Sequence, residues 1–327
     1  PQRDLLRKFQ KPEEIPPKLM AQVAVGTDLS GEPRVQFGPG QNVLLIMMES
    51  VSGSFWDSMG AKEQRAYRQG SMPRLDERVS KGLLDRNFIA NQRQTRRGIF
   101  SFLCGDYPNV SSRDARTMYH VLAGGKGPSC LARTLAQEGY KTVFIQADTL
   151  AFNAKGQFLK QAGFSEYYGF DWFDRAYRWT GWGPDDLAFL EGVMKKMDAL
   201  AKQPKPWFVG AINIGTHHPY QVPKTFKSDH PEDTFARSVD YLDHSMAWFL
   251  DTARERGYLD NTLVIITSDE SRGINPGLRG LTVSLSNNWI PMAVLMPQGE
   301  PGVVDDLYSQ KDLAGSVLDY LRLGQKA

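Results

Sequence analysis

Several side chains that could carry chemistry follow short apolar runs of the sequence, at the point where each run ends. Glu49 closes the first run, and the pair Asp269 and Glu270 follows the fourth. A single carboxylate in such a place is more often a helix cap or a turn former. Three together could not all stay ionised without compensation, which a divalent cation supplies. Oxygen ligands favour Mg²⁺ or Mn²⁺ over Zn²⁺, so the sequence predicts a site for one such cation.

A candidate nucleophile lies in segment 91–101, where a polar stretch leads into an apolar helix. Thr95 would begin that helix, and backbone N–H groups at a helix N-terminus favour an anion such as a phosphoryl group. Arg96 and Arg97 could add positive charge. The alternative is a threonine that only caps the helix, next to two solvated arginines. Residue types alone leave both interpretations open.

These side chains need a scaffold that brings several strand ends together, and the hydrophobic pattern predicts one. Short apolar runs bounded by turn residues alternate with longer helical patterns. We predict strands over 42–48, 87–90, 141–146, 207–214, 263–267 and 291–296, and helices over 99–103, 130–138, 184–201, 234–256 and 313–323. This alternation is typical of an α/β fold with a central, mostly parallel sheet and helices on both faces.

Two further groups follow the other predicted strand ends. Gln146 and Asp148 come at the end of the strand over 141–146, and the pair His217 and His218 follows the strand over 207–214. In open α/β sheets, sites form outside the carboxyl ends of the strands. We therefore expect these side chains to converge with the carboxylates.

The composition of the chain excludes some classes of function. The chain has 327 residues, with 39 Lys plus Arg against 37 Asp plus Glu and a net charge of +2. A protein that binds mainly nucleic-acid phosphates usually shows a stronger basic excess, so we expect no nucleic-acid partner. No apolar stretch approaches the roughly 20 residues of a membrane span. Residues 1–41, polar and rich in proline and glycine, are expected to form an extended lead-in to a domain over 42–327.

The two cysteines, Cys104 and Cys130, lack the paired spacing of a metal site. They could be two free buried thiols. They could also form one disulfide, which would indicate an oxidising compartment. Composition alone does not decide between the two.

Together these motifs resemble the alkaline phosphatase/sulfatase superfamily, and within it the lipoteichoic-acid-synthase-like group of membrane-anchored phosphoglycerol transferases. The resemblance runs from about residue 42 to about residue 323. It rests on the order and spacing of five landmarks: LIMMES around Glu49, QTRRG around Thr95, GYKT at 139–142, THHPY at 216–220 and TLVIITSD ending at Asp269. It implies a sulfatase-like catalytic domain in the periplasm, belonging to an inner-membrane protein whose anchor would precede residue 1.

The resemblance also implies roles for the site residues. Glu49, Thr95 and Asp269 would be metal ligands, and Thr95 would be the nucleophile that takes the phosphoglycerol group as a covalent intermediate. His217 would contact the substrate phosphate or the leaving group during catalysis. Glu270 stands where the family usually has a histidine as the fourth metal ligand. This change adds a negative charge and favours Mn²⁺ or Mg²⁺ over Zn²⁺.

Contacts to the transferred head group are implied at four positions, where the family tends to have His, Asp, Trp and Arg. Here these positions hold Gln146, Asp148, Asn153 and Lys155. Only the Asp is unchanged, and lysine in place of arginine loses bidentate phosphate binding. The head group could therefore differ. Arg96 and His218, which adjoin the catalytic candidates, are further candidates for substrate binding.

The resemblance also bears on the cysteines. In related chains from Gram-negative bacteria, a cysteine soon after the nucleophile helix pairs with a cysteine that opens the next helix. Cys104 and Cys130 stand in matching places, so a disulfide between them is implied.

We therefore expect metal-dependent transfer of a phosphoglycerol-type group from a phospholipid resembling phosphatidylglycerol to a glycan or lipid acceptor. The domain is expected to be monomeric and to work at a membrane surface. Two alternatives keep the fold. Because of Glu270, the domain could be a non-catalytic lipid-binding or regulatory module, or it could hydrolyse phosphate or sulfate esters. A sulfatase is disfavoured, because the residues after Thr95 are Arg-Arg-Gly and not the C/S-x-P-x-R context that formylglycine formation requires.

Overall fold

The computed structural model of this chain describes residues 41–60, 70–108, 129–272, 287–297 and 299–323. The strands in these residues are β1 (Asn42–Met48), β2 (Leu83–Asp85), β3 (Lys141–Gln146), β4 (Glu166–Tyr168), β5 (Trp207–Ile212), β6 (Thr262–Ser268), β7 (Met292–Leu295) and β8 (Gly302–Val304). The α-helices are α1 (Pro73–Val79), α2 (Thr95–Cys104), α3 (Leu131–Gln137), α4 (Lys155–Ala162), α5 (Asp186–Leu200), α6 (Thr234–Glu255) and α7 (Leu313–Tyr320).

In this described part of the chain, the strands form one eight-stranded sheet in the order β4-β3-β5-β1-β6-β7-β2-β8. Only β7 runs antiparallel to its neighbours, β6 and β2. The predicted α/β fold with a mostly parallel sheet is therefore confirmed. Because β1 lies between β5 and β6, the residue after β1 is flanked by the residues that follow these two strands.

The sheet is covered on both faces, which explains the continuously apolar strands. Successive side chains of a strand point to opposite faces. Leu45 and Met47 of β1 pack in a cluster with residues of α2, α3, α4 and α7. Leu44 and Ile46 pack in a second cluster with residues of α1, α5 and α6. Both faces of β1 are therefore buried, and the helices hold its end in place.

The longer predicted strands and helices are confirmed to within a few residues at their ends. The strand predicted over 87–90 is wrong, since Ile89 makes only isolated bridges to Trp289 and Ser309. The short strands β2, β4 and β8 were not predicted. Each has three residues, too few to show a periodic pattern.

The disulfide is confirmed, because the sulfur atoms of Cys104 and Cys130 are bonded. It joins the last residue of α2 to the residue that precedes α3. Among the described residues there is no helix with the length and apolarity that a membrane crossing needs. The lead-in expected at residues 1–41 lies, except for residue 41, outside the described residues.

Candidate active site

The candidate nucleophile and the first candidate ligand meet where β1 ends. Glu49 follows β1 directly and is buried. Thr95 is the first residue of α2, and its hydroxyl donates a hydrogen bond to Oε2 of Glu49 with an Oγ1–Oε2 distance of 3.4 Å. The sequence expectation that Thr95 lies at a helix N-terminus is therefore confirmed.

The approach of α2 to the end of β6 depends on Gly98. A Cβ atom at this position would lie 2.5 Å from the carbonyl oxygen of Asp269, closer than real Cβ contacts come. The same carbonyl oxygen accepts a hydrogen bond from Nε2 of Gln310 at 2.5 Å. A residue without a side chain thus lets the helix that carries Thr95 lie directly against the residue that follows β6.

Asp269 is fully buried at the end of β6. Its Oδ1 atom accepts hydrogen bonds from the backbone N–H groups of Ser50, at 2.9 Å, and Glu270, at 2.8 Å. Its Oδ2 atom is buried and has no hydrogen-bond partner within the described residues. A buried carboxylate oxygen without a partner is costly, and a cation bound to this oxygen would offset that cost.

Glu270 is partly buried and faces the start of α2. Its Oε2 atom accepts a hydrogen bond from the backbone N–H of Gln94 at 2.6 Å. Gln94 precedes Thr95 and has a positive φ of 77°. The carboxylate of Glu270 therefore holds the residue next to the candidate nucleophile.

Burial and neighbouring negative charges raise the pKa values of Glu49 and Asp269. Burial raises the pKa of Glu49 from its usual value of 4.5 to about 7, and the negative charge of Glu270 adds to the shift. Hydrogen bonds from Ser50 and Thr95 and the charge of Lys155 act in the opposite direction. Burial, together with the charges of Glu49 and Glu270, holds the pKa of Asp269 well above its usual range. The site therefore has an excess of negative charge that a cation would offset.

A cavity of about 560 Å³ opens at the carboxyl ends of β1, β3 and β5. All but one of the predicted site residues line it: Glu49, Thr95, Arg96, Gln146, Asp148, Asn153, Lys155, His217, His218 and Glu270. The exception is Asp269, which is fully buried and does not reach the cavity surface. Its carboxylate is instead linked to the site through Ser50 and Glu270.

One wall of the cavity carries the expected head-group residues. The Nζ atom of Lys155 lies 3.1 Å from Oδ2 of Asp148, and both side chains are buried. Nε2 of Gln146 donates to the carbonyl oxygens of Asp148, at 3.0 Å, and Thr149, at 2.9 Å. Oε1 of Gln146 is buried, and no described residue bonds to it. This wall therefore contains a buried acceptor without a partner among the described residues, next to a buried ion pair.

His217 also lines the cavity, and a backbone carbonyl sets the orientation of its ring. Its Nδ1 atom lies 2.9 Å from the carbonyl oxygen of His218. Because a carbonyl oxygen only accepts, Nδ1 carries the proton, and Nε2 is the atom left to exchange a proton with a ligand. Nε1 of Trp182 donates to the same carbonyl oxygen at 2.9 Å, and its ring packs against that of His217 at 4.7 Å between centroids.

Other residues lining the cavity were not predicted as site residues: Phe152, Trp182, Asn213, Thr216, Tyr220 and Arg272. The guanidinium carbon of Arg272 lies 3.9 Å from the ring centroid of Phe235 and 4.9 Å from that of Tyr220. Asn213 comes directly after β5, so the rule that located Glu49 could have found it. Trp182 lies in a loop and does not follow a strand end.

The donor set fits a hard divalent cation. Glu49, Asp269 and Glu270 supply carboxylate oxygens and Thr95 a hydroxyl, which are ligands that Mg²⁺ and Mn²⁺ prefer. The Oδ2 atom of Asp269, which has no partner within the described residues, also supports a cation site. Among the described residues, no group of three or more His, Cys, Asp or Glu side chains already has the arrangement of a ligand shell.

A sulfatase family model matches residues 41–323. Phosphoglycerol transferase I of Xanthomonas campestris pv. campestris is 22% identical over 241 residues, which are 70% of this chain and 33% of that protein. Phosphoglycerol transferase I of Escherichia fergusonii is 26% identical over 170 residues, which are 49% of this chain and 22% of that protein. The aligned part of this chain thus spans a third or less of these relatives.

Two solved structures share the fold. One is a protein of the alkaline phosphatase superfamily from Vibrio parahaemolyticus, with a TM-score of 0.72, 22% identity and coverage of 87% of this chain and 67% of that chain. The other is the lipoteichoic acid synthase LtaP from Listeria monocytogenes, with a TM-score of 0.72, 17% identity and coverage of 87% and 72%. The family model covers all of the described sheet and every predicted site residue, and so the chain belongs to the sulfatase family.

Proposed function

We propose that this chain is a metal-dependent transferase. It moves a phosphoglycerol-type group from a phospholipid resembling phosphatidylglycerol to a glycan or lipid acceptor, through a phospho-threonine intermediate. The observation that carries this proposal is the hydrogen bond from the Thr95 hydroxyl to Glu49 at the start of α2, within the cavity. The names of the relatives from Xanthomonas campestris and Escherichia fergusonii support the class of reaction.

Glu49, Thr95, Asp269 and Glu270 would hold one Mn²⁺ or Mg²⁺ ion. When bound, such an ion lowers the pKa of a coordinated hydroxyl and offsets the charge on phosphoryl oxygens. The excess negative charge around Glu49 and Asp269 supports this assignment.

In the first step, Oγ1 of Thr95 attacks phosphorus, and its proton moves to Oε2 of Glu49. A Thr95–phosphorus bond forms, and the bond from phosphorus to the oxygen of diacylglycerol breaks. Nε2–H of a protonated His217 gives its proton to the departing oxygen. Backbone N–H groups in the first turn of α2 favour the negative charge on the phosphoryl oxygens.

In the second step, a hydroxyl of the acceptor attacks phosphorus and gives its proton to Nε2 of His217. The bond from phosphorus to Thr95 breaks, and Oγ1 takes back the proton from Glu49. Attack by water in place of the acceptor would give hydrolysis. Whether an acceptor hydroxyl or water attacks the intermediate therefore determines whether the reaction is a transfer or a hydrolysis.

The wall formed by Gln146, Asp148, Asn153 and Lys155 would bind the head group. A glycerol hydroxyl can donate to Oε1 of Gln146, the buried acceptor on that wall. Arg96 and His218 line the same cavity and would contact the phosphate. The bond between Lys155 and Asp148 leaves this lysine less able to act as a phosphate ligand.

The site would work outside the cytoplasm, as the periplasmic domain of an inner-membrane protein, with its lipid donor in the membrane. The disulfide between Cys104 and Cys130 supports an oxidising compartment. We expect the domain to act as a monomer.

One observation favours a second candidate function, a non-catalytic lipid-binding module. Glu270 accepts the N–H of Gln94 beside the candidate nucleophile and adds negative charge there. Such a module would bind phospholipid head groups without turnover.

The experiment that separates the two is an assay with phosphatidylglycerol in mixed micelles and Mn²⁺. The transferase releases diacylglycerol, and Thr95→Ala abolishes the release. Binding of phosphatidylglycerol without release, with Mn²⁺ or Mg²⁺ present, would favour the non-catalytic module. Release of free glycerol phosphate in the presence of glycan and lipid acceptors would favour a hydrolase.

A further inference from the structure

The peptide of Glu49 is held from both sides by side chains of the segment after β5. Its N–H donates to Oδ1 of Asn213 at 2.8 Å, and its carbonyl oxygen accepts from the hydroxyl of Thr216. The parallel register between β1 and β5 ends at Met47 and Ile212. Two side chains therefore continue the pairing beyond the last backbone partners and fix the residue that faces Thr95.

The orientation of the Asn213 amide is set by Asp186, the first residue of α5. Nδ2 of Asn213 donates to Oδ1 of Asp186 at 2.8 Å. Because a carboxylate oxygen of Asp186 accepts a hydrogen bond, the NH₂ group of Asn213 faces Asp186. The Oδ1 atom of Asn213 then faces the N–H of Glu49. Asp186 thereby determines which atom of Asn213 meets the N–H of Glu49.

The environment of Asp186 is unfavourable for the stability of the fold. It is buried, and Oδ1 also accepts the N–H of Gly215 at 3.1 Å. A Cβ atom on Gly215 would lie 2.2 Å from Oδ2, so only glycine fits against this carboxylate. Oδ2 is buried, and nothing in the described part of the chain bonds to it. A buried carboxyl oxygen left unpaired is unfavourable, which calls for a role beyond packing.

We infer that Asp186 and Asn213 are positioning residues, which fix the peptide of Glu49 so that its carboxylate faces the Thr95 hydroxyl. This role is defined for the transfer reaction, so the inference rests on the proposed function. Asn213 lines the cavity, yet its Oδ1 and Nδ2 atoms are both bonded within the protein. Its role is therefore to hold Glu49 and not to bind the transferred group.

The test compares Asp186→Ala with Asp186→Asn. The alanine removes the acceptor for Asn213, whereas the asparagine retains an Oδ1 acceptor in the same place and should restore the site. In crystals grown without metal, Asp186→Ala should displace the Glu49 carboxylate from its wild-type position. In solution, it should weaken Mn²⁺ binding, measured by calorimetry, by about 10- to 100-fold, as loss of partners behind metal ligands does. Asp186→Asn should stay near wild type in both readouts.

Two further variants separate positioning from a loss of stability. Asn213→Ala leaves α5 intact and should reproduce the effects of Asp186→Ala, which keeps the test usable if the latter does not fold. Asp243 is also fully buried, but it accepts N–H groups of Arg74 and Leu75 at the start of α1. Asp243→Ala should lower the melting temperature and leave Mn²⁺ affinity and Glu49 unchanged.

An unmoved Glu49 carboxylate in both Asp186→Ala and Asn213→Ala would overturn the inference. So would an equal loss of Mn²⁺ affinity in Asp243→Ala. If the wild-type protein neither binds Mn²⁺ nor releases diacylglycerol, the proposed function fails. The position of Glu49 in the crystals then still decides the inference, so the two failures can be told apart.

Discussion

The Oγ1 atom of Thr95 lies 3.4 Å from Oε2 of Glu49, although the two residues are 46 positions apart in the chain. Glu49 ends a central strand, and Thr95 begins the helix that packs over the ends of β1 and β6. The distance between the two side chains therefore depends on how closely α2 approaches the sheet.

Gly98→Ala tests this dependence. In an isolated helix the change would add about 1 kcal/mol of stability. Here the new methyl group would lie 2.5 Å from the carbonyl oxygen of Asp269, so α2 must move away from the sheet. We expect a net loss of about 1–3 kcal/mol in the free energy of unfolding. Turnover should fall by about 100-fold, because Thr95 moves with the helix.

The control is Gly181→Ala in the loop next to Trp182. A Cβ atom there would meet no other atom within 4 Å. We expect its free energy of unfolding to stay within about 0.5 kcal/mol of the wild type. A fully active Gly98→Ala variant would show that the close approach of α2 is not needed.

Glu270→His introduces the histidine that the family resemblance leads us to expect at this position. If Glu270 is a metal ligand, an imidazole nitrogen replaces a carboxylate oxygen, and the ratio of Zn²⁺ to Mn²⁺ affinity should rise on the order of tenfold. Competition calorimetry with the two ions measures this ratio. The matched control is Glu77→His at an exposed position on α1, which should not change it. An unchanged ratio in Glu270→His would exclude Glu270 as a ligand.

Glu166 on β4 should make stability depend on pH. Burial alone would raise its pKa, but hydrogen bonds from Lys141 and Lys196 outweigh that effect and lower the pKa to about 2. Because the folded value lies below the ordinary 4.5, the stabilisation is present above pH 4.5 and is lost as the pH falls towards 2.

We therefore expect Glu166→Gln to lower the free energy of unfolding at pH 7 by at most about 3 kcal/mol. The difference from the wild type should shrink steadily below pH 4.5. Denaturant titrations across this pH range measure it, with the exposed Glu255→Gln as a control. A difference that stays constant down to pH 2 would contradict the ion-pair explanation.

The disulfide should stabilise the fold by restricting the unfolded chain. Cys104 and Cys130 are 26 positions apart, and a loop of that size corresponds to about 3 kcal/mol. The double variant Cys104→Ala and Cys130→Ala should lose this amount in chemical denaturation. Reduced wild-type protein should match the double variant in stability. Equal stability of the oxidised wild type, the reduced wild type and the double variant would contradict the expectation.

The fold could be predicted where a strand is long and buried on both faces. The continuous apolar runs of β1 and β6 predicted two buried strands. The strands β2, β4 and β8 could not be predicted, because three residues do not show a period and their pairing depends on distant neighbours. Ile89 was assigned to a strand from its apolar context, although it only bridges two loop segments.

The site residues that follow the ends of strands could be predicted from the sequence. Glu49, Asp148 and His217 line one cavity, as expected from a parallel sheet. Asp186 could not be found in this way. It lies next to Asp185, which caps α5 by accepting the N–H of Ala188, and its sequence context suggests nothing more. Its contact with Asn213 exists only because the start of α5 meets the end of β5 in space.

The covalent state of Thr95 during turnover tests the proposed mechanism most directly. The protein is mixed with Mn²⁺ and phosphatidylglycerol without an acceptor, quenched rapidly and analysed by peptide mass spectrometry. We predict a phosphoglycerol group on Thr95 that forms together with diacylglycerol and disappears when an acceptor is added. Release of diacylglycerol with Thr95 unmodified at every time point, or undiminished release by Thr95→Ala, would contradict it.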